Sequence, residues 1–154
     1  MSVVDPIANF FASYPSTGFV YDRNKGTLEE FERLSSFRQW VEGGKRKQKA
    51  IFALQRALQK EFELVFGKQD GDYQQWCDLC RTLGIVPIPG SRVKHVHVNV
   101  FDVVDAQRQG RQATPIFRNV QQLKTYTIEN GMTFPKKRAK RGLLKYLLRN
   151  IGLD

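Results

Sequence analysis

The segment from Lys45 to Phe66 constrains the fold most, because its apolar residues recur at helical spacing along most of its length. They are Ile51, Leu54, Leu58, Phe62 and Val65. This spacing places one apolar stripe along a helix, and the stripe needs a core to cover it. Gly67 follows as a residue suited to the left-handed turn after a helix. The segment therefore predicts a long amphipathic helix.

Similar signals predict helices through most of the remaining chain. Residues 5–13 contain a proline where a first helical turn tolerates one. Thr27-Leu28-Glu29-Glu30 has the pattern of a capping box, and we expect the helix after it to turn Phe31, Leu34, Phe37 and Trp40 inward and to end at Gly43-Gly44. Three further helices are predicted at Tyr73–Leu83 (Asp72 as N-cap, Gly84 after it), from about Asn99 onward, and at Asn119–Asn130 before Gly131. Residues 93–104 are ambiguous, because their many valines also favour a strand.

The segments between these helices carry few helix signals. Phe19-Val20-Tyr21 is predicted to be extended and to pack its rings on the core, and residues 85–90 are extended because prolines follow Val86 and Ile88. Residues 107–114 are polar and read as a flexible connector. Together these features predict a mainly α single compact domain over residues 1–154, with six or seven helices and a helix-turn-helix-like end.

The C-terminal stretch is strongly basic and also has helical spacing. Seven cations and no acid occur between Lys136 and Arg149, while Leu143, Leu144, Leu147, Leu148 and Ile151 form an apolar stripe. On a helix, Arg138, Arg141, Lys145 and Arg149 share a sector about 80° wide, away from that stripe. A helix that is anchored on one side and cationic on the other suits a polyanion.

The overall charge agrees with such a partner. Formal charge is +10 and the sequence pI is about 9.9, which favours nucleic acid, an anionic membrane surface or an acidic protein. The N-terminus lacks the pattern of a secretory signal, and no apolar run reaches the roughly 18 residues of a membrane span. Two cysteines indicate no disulfide framework, so a reducing compartment is expected.

The cysteines and histidines invite two chemical interpretations. Cys77-Asp78-Leu79-Cys80 follows Trp76, as in thioredoxin-like redox sites, but it lies in a predicted helix with no preceding strand. Cys77, Cys80, His95 and His97 also form a conceivable zinc set, although the His-x-His spacing is tighter than usual. We favour packing for the cysteines and surface positions for the histidines, and we predict no metal and no cofactor.

Nothing in the sequence names a reaction. Asp102 and Asp105 are one helical turn apart, as paired catalytic carboxylates sometimes are, but no third acid or histidine completes a site. A solvated helix face is the expected place for both. The motifs of nucleophilic hydrolases, zinc proteases and dinucleotide-binding enzymes are missing, and we therefore predict a protein that is not an enzyme.

The predicted function is DNA binding in the nucleus. The protein is expected to contact mostly the phosphate backbone of duplex DNA. Lysine and arginine neutralise phosphates, whereas the basic stretch has no Asn or Gln among its first residues to read adenine. The alternative is a protein-interaction module that docks an acidic partner; neither function involves a membrane. The predicted contact residues are Lys45, Arg46 and Lys47, with Lys136, Lys137, Arg138, Lys140, Arg141, Lys145 and Arg149.

A resemblance covers most of residues 10–110. Its elements are scattered aromatics, prolines and short motifs: Tyr14-Pro15, Phe19, Tyr21-Asp22, Glu30-Phe31, Leu34, Trp40, Trp76, Leu79-Cys80, Leu83, Ile85, Pro87, Pro89, and His97-Val98-Asn99-Val100 with Asp102 and Val103-Val104-Asp105. In these residues the chain resembles a group of small uncharacterised fungal proteins. The resemblance implies an intracellular fungal protein with those aromatics in its core, and it assigns no catalytic or ligand residues. The shared pattern has no cysteine at the position of Cys77 and no histidine at the position of His95, which weakens the zinc interpretation.

Overall fold

A computed structural model of the chain describes residues 5–15, 18–67, 73–85, 97–113, 115–117 and 119–134, together with Leu144. Within these residues there are six helices and a two-stranded sheet, so the predicted mainly α fold is confirmed. The chain divides into two compact units, Met1–Glu61 and Phe62–Asp154. No helix in the described part of the chain is long and apolar enough to cross a membrane.

The first unit begins with helix α1, Pro6–Ala12, which agrees with the prediction for residues 5–13. The Asp5 carboxylate accepts a hydrogen bond from the Ala8 amide at 2.9 Å and so caps the first turn. Phe10 and Phe11 of α1 are buried. The rings of Phe19 and Tyr21 pack on the buried Phe11 as predicted, and the Tyr21 ring stacks on Phe11 with centroids 4.4 Å apart.

Helix α2, Thr27–Arg38, forms where it was predicted but begins and ends differently. Gly26 is the N-cap and Thr27 is already the first helical residue, so the prediction that Thr27 caps this helix in a capping box is wrong. The Glu30 carboxylate instead accepts hydrogen bonds from the Asp22 amide and from Arg33. The helix ends at Arg38 because Gln39 adopts a left-handed conformation, with φ of 54°, before Gly43 is reached. Phe31 and Leu34 are buried as predicted, whereas Phe37 is 45% exposed.

Helix α3, Lys45–Phe66, confirms the clearest sequence pattern. Leu54, Leu58 and Phe62 are almost fully buried, and Ile51 and Val65 are half-buried. Gly67 follows with φ of 85°, a conformation that favours glycine, and so ends the helix. Residues up to Glu61 belong to the first unit and the last turn belongs to the second.

The second unit holds α4 (Tyr73–Leu83), β1 (His97–Val98), α5 (Val100–Gln109), β2 (Ile116–Phe117) and α6 (Val120–Glu129). The strands pair antiparallel, with His97 opposite Phe117. Helix α4 packs against α5, and α6 packs against both strands. Gly84 and Gly131 have positive φ after α4 and α6, as their predicted positions require.

Asn99 joins three parts of the second unit. Its side-chain oxygen accepts a hydrogen bond from the Phe101 amide at 2.8 Å and caps α5, which confirms the predicted helix start. Its amide nitrogen donates to the Thr127 hydroxyl at 3.1 Å and to the Met132 carbonyl at 3.0 Å. One buried side chain therefore fixes the start of α5 against α6 and the segment that follows it.

Two predictions concern stretches that the structure describes only partly. Helix α5 continues to Gln109, three residues into the predicted connector, and Ala113 is buried with its amide donating to the Thr82 carbonyl at 2.7 Å. The helix-turn-helix-like end lies outside the described residues, as do Asp72 and residues 86–90. Leu144 alone is described there: it is helical and 2% exposed.

Candidate nucleic-acid interface

The outer face of α3 carries a row of four exposed cations. Lys45, Lys49, Arg56 and Lys60 are all exposed, and the helical repeat places them within a sector about 60° wide. The buried residues Leu54 and Leu58 of the same helix point away from this sector, because successive residues rotate by about 100°. The four cations therefore share the solvent side of a helix whose opposite side forms core. We call them the α3 row.

The α3 row is not neutralised by acids. The sequence has no acidic residue between Lys45 and Lys60, and none of the four cations forms an ion pair within the described ranges. Lys45 and Lys49 also lie near the positive end of the helix dipole, where a cation slightly destabilises the helix. The row is a concentration of unpaired positive charge on a rigid element.

The three cations predicted at the start of α3 have different surroundings. Lys45 belongs to the row, and Arg46 is exposed at its edge. Lys47 lies about 160° around the helix from Lys45, with its side chain only 12% exposed. Its ammonium group pairs with Glu32 at 2.9 Å and with Glu42. Burial opposes its charge, but these two hydrogen bonds raise the pKa of Lys47 overall.

The predicted C-terminal contacts lie outside the described residues. This applies to Lys136, Lys137, Arg138, Lys140, Arg141, Lys145 and Arg149. Leu144 belongs to the leucine stripe of the same segment and is buried. Burial of this leucine agrees with the predicted anchoring of the stripe in a core.

A groove lies beside the α3 row in the first unit. It has a volume of about 350 Å³, which is in the size range of small-molecule clefts. Pro6, Phe10, Ala53 and Ala57 supply its apolar walls, while Asn9, Ser13, Arg56 and Lys60 supply polar groups. Two members of the row therefore also border an apolar recess.

The cysteines form no disulfide with each other. Cys77 and Cys80 are both buried free thiols on α4, beside the buried Leu79 and Leu83. Burial, with a smaller effect of Cys77, raises the pKa of the Cys80 thiol, whereas a reactive cysteine needs a lowered pKa. In the described ranges no three His, Cys, Asp or Glu residues are grouped to hold a metal ion. His95 lies outside those ranges, and the predicted surface position of His97 is wrong, because His97 is buried on β1.

Asp102 and Asp105 are buried, and the prediction of a solvated face is wrong. Every residue of α5 from Val100 to Ala106 is buried, because the second unit covers this part of the helix on all sides. The Tyr126 hydroxyl of α6 donates a hydrogen bond to Asp102 at 2.9 Å. Burial raises the pKa of Asp102 to about 6; Tyr126 opposes the rise, and the nearby Asp105 charge adds to it. Burial also raises the pKa of Tyr126.

Asp102→Asn is expected to stabilise the protein at neutral pH. The pKa of Asp102 is about 6 in the folded protein and 3.8 when the side chain is exposed. As pH rises through this interval the free energy of unfolding therefore falls, by up to about 3 kcal/mol at pH 7. Asparagine carries no charge and keeps an oxygen for the Tyr126 hydroxyl. Urea unfolding should show a gain at pH 7.5 that shrinks towards pH 4.

The exposed Asp78 provides the control for this substitution. It pairs with Arg81 at 2.8 Å and is 42% exposed, so Asp78→Asn should change stability little at either pH. A stability gain for Asp102→Asn that is equal at both pH values would contradict the assignment of a raised pKa to Asp102.

Comparisons with known proteins identified no relative of this chain. No family of known proteins, no curated protein and no solved structure matches this chain. The resemblance to small fungal proteins therefore stays a prediction.

Proposed function

We propose that the protein binds DNA in the nucleus through the phosphate backbone, without catalysing a reaction. The contacts come from the α3 row, from Arg46 at its edge and from the basic C-terminal residues between Lys136 and Arg149. Lys47 is left out, because Glu32 and Glu42 already balance its charge.

The acid-free α3 row is the observation that supports this proposal most. Its cations span 15 residues of helix from Lys45 to Lys60, or about 22 Å. This length corresponds to about six base pairs of duplex DNA, whose phosphates follow one another every 3.4 Å or so along each strand. Flexible lysine and arginine side chains on a rigid helix can meet several of those phosphates at once.

The side chains of the row favour contacts without sequence readout. Lysine and arginine bind phosphate whatever the base, while adenine readout relies on asparagine or glutamine in the groove. We therefore expect similar affinities for duplexes of unrelated sequence. The row also fits the acidic partner of the alternative function, since both partners supply negative charge.

Competition binding separates the two partners. Fluorescence anisotropy of a labelled random-sequence duplex in about 50 mM salt should show binding that unlabelled duplexes of any sequence displace equally. Polyglutamate at the same charge concentration should compete weakly, because its linear charge density is lower than that of the duplex, which carries one charge per roughly 1.7 Å of helix axis. Absence of duplex binding at this salt concentration would refute the proposal. Stronger competition by polyglutamate would favour the acidic protein partner.

A further inference from the structure

One large apolar side chain is exposed at the edge of the α3 row. Phe52 is 46% exposed and lies about 40° around the helix from Arg56. Lys49 precedes it by three residues and Arg56 follows it by four, so both cations are its neighbours on the helix surface. Within the described ranges its ring packs on no other aromatic ring, in contrast to Phe10, Phe11, Phe19 and Phe31 of the same unit.

An exposed ring between cations has the chemistry of a single-strand binding surface. Unpaired bases stack on aromatic side chains, and the neighbouring cations hold the phosphates on either side of the stacked base. A duplex cannot use the ring in this way, because its bases are already paired and stacked. The ring would therefore add affinity only for nucleic acid that has unpaired bases.

The groove beside the row extends the same surface. Ala53 follows Phe52 in the chain and lines the groove, and Arg56 and Lys60 stand at the groove as well as in the row. Its apolar walls and a volume of about 350 Å³ suit a planar base whose phosphate remains outside with the cations. The ring lies at one edge of the row and the groove at its other edge, so apolar surfaces flank one field of positive charge on both sides.

We propose that the α3 face binds single-stranded nucleic acid, with one base stacked on Phe52 and the adjoining phosphates on Lys49 and Arg56. This inference rests on the proposed function, since it uses the same cations, and it adds strands with unpaired bases as a preferred ligand of the face that also contacts the duplex backbone. A strand end or an opened duplex provides such bases.

Three ligands test this inference: a mixed-sequence single strand, the same sequence as a duplex, and an abasic strand that keeps the phosphates. Phe52→Ala should weaken binding of the mixed-sequence strand about 10-fold and leave the other two within about twofold. Phe52→Trp should retain or improve binding of the single strand, because tryptophan also stacks. Tyr73→Ala removes an exposed ring from the second unit and serves as the control.

The outcomes distinguish this inference from the proposed function. An unchanged affinity of Phe52→Ala for the mixed-sequence strand, or an equal loss for all three ligands, would overturn the stacking role while duplex binding still supports the proposed function. Binding to none of the three ligands at low salt would overturn both. Circular dichroism confirms that each variant keeps its helix content.

Discussion

Replacing Lys45, Lys49, Arg56 and Lys60 with alanine is expected to weaken duplex binding at least about 100-fold at roughly 0.1 M salt. Each phosphate contact adds about 0.9 to the slope of log affinity against log salt. Four contacts therefore raise the affinity by more than three orders of magnitude when the salt is diluted about tenfold. Arg46 and the C-terminal cations offset part of the loss. Fluorescence anisotropy with a labelled duplex measures it directly.

The fold should survive this fourfold substitution, because all four positions are exposed and alanine is the best helix former. A control variant removes the same amount of charge elsewhere, taking the formal charge from +10 to +6 as well, through alanine at Lys25, Arg81, Arg111 and Lys124. The control should lose far less affinity. Equal losses for the two variants would mean that net charge, and not the α3 row, attracts the DNA.

The second large effect is expected at Glu30, which the sequence pattern assigned to a capping box. Its side chain is fully buried and accepts hydrogen bonds from the Asp22 amide at 2.7 Å and from two nitrogens of Arg33 at 2.9 and 2.7 Å. The Arg33 guanidinium lies over the Phe19 ring at 4.4 Å and also donates to the Val20 carbonyl. Glu30 therefore ties α2 to the extended segment before it.

Glu30→Gln should destabilise the protein by about 3 kcal/mol at pH 7, measured by urea unfolding. Glutamine keeps the size of the side chain, but it loses the negative charge and turns an amide NH₂ towards groups that are themselves donors. Since Arg33 is 31% exposed, water can take up part of its charge, and the loss should fall at the low end for a broken buried pair.

The effect of Glu30→Gln should also depend on pH. Burial tends to raise the pKa of Glu30, but the hydrogen bonds from Arg33 and Asp22 outweigh it and lower the pKa below 4.5. A lowered pKa stabilises the folded state above pH 4.5, and this contribution is lost as pH falls through the folded pKa. The difference between wild type and variant should therefore narrow in acid. Glu29→Gln, in the same first turn but exposed, should cost little at any pH; an equal cost would contradict the proposed role of Glu30.

The sequence predicted helices well where apolar spacing and end signals agree. In α3 the apolar stripe and Gly67 gave the same answer, and in α5 Asn99 was recognised as the approximate start. The end of α2 was missed because Gln39 adopts a left-handed turn that glycine usually takes, so no glycine marked it. The capping box failed because the Glu30 carboxylate accepts hydrogen bonds from the Asp22 amide before the helix and from Arg33 one turn further along it.

The candidate interface was predicted only in part. Lys45, Arg46 and Lys47 were predicted together as contact residues because they are consecutive in sequence. Helical geometry places Lys47 on another side of α3 from Lys45, where it forms ion pairs with Glu32 and Glu42. Helical spacing alone places Lys49, Arg56 and Lys60 on one face of α3 with Phe52 at its edge, so this face follows from the sequence once the helix is assigned. The burial of Asp102 and Asp105 depends on how the second unit covers α5, which local spacing does not reveal.

The salt dependence of duplex affinity tests the central claim most directly. For the wild type, log affinity should fall linearly with log salt, and the slope for the α3 row variant should be shallower by about three to four, which is about 0.9 for each lost contact. The control variant should keep nearly the wild-type slope. A wild-type slope near zero, or the same slope for the wild type and the α3 row variant, would contradict phosphate binding by this helix.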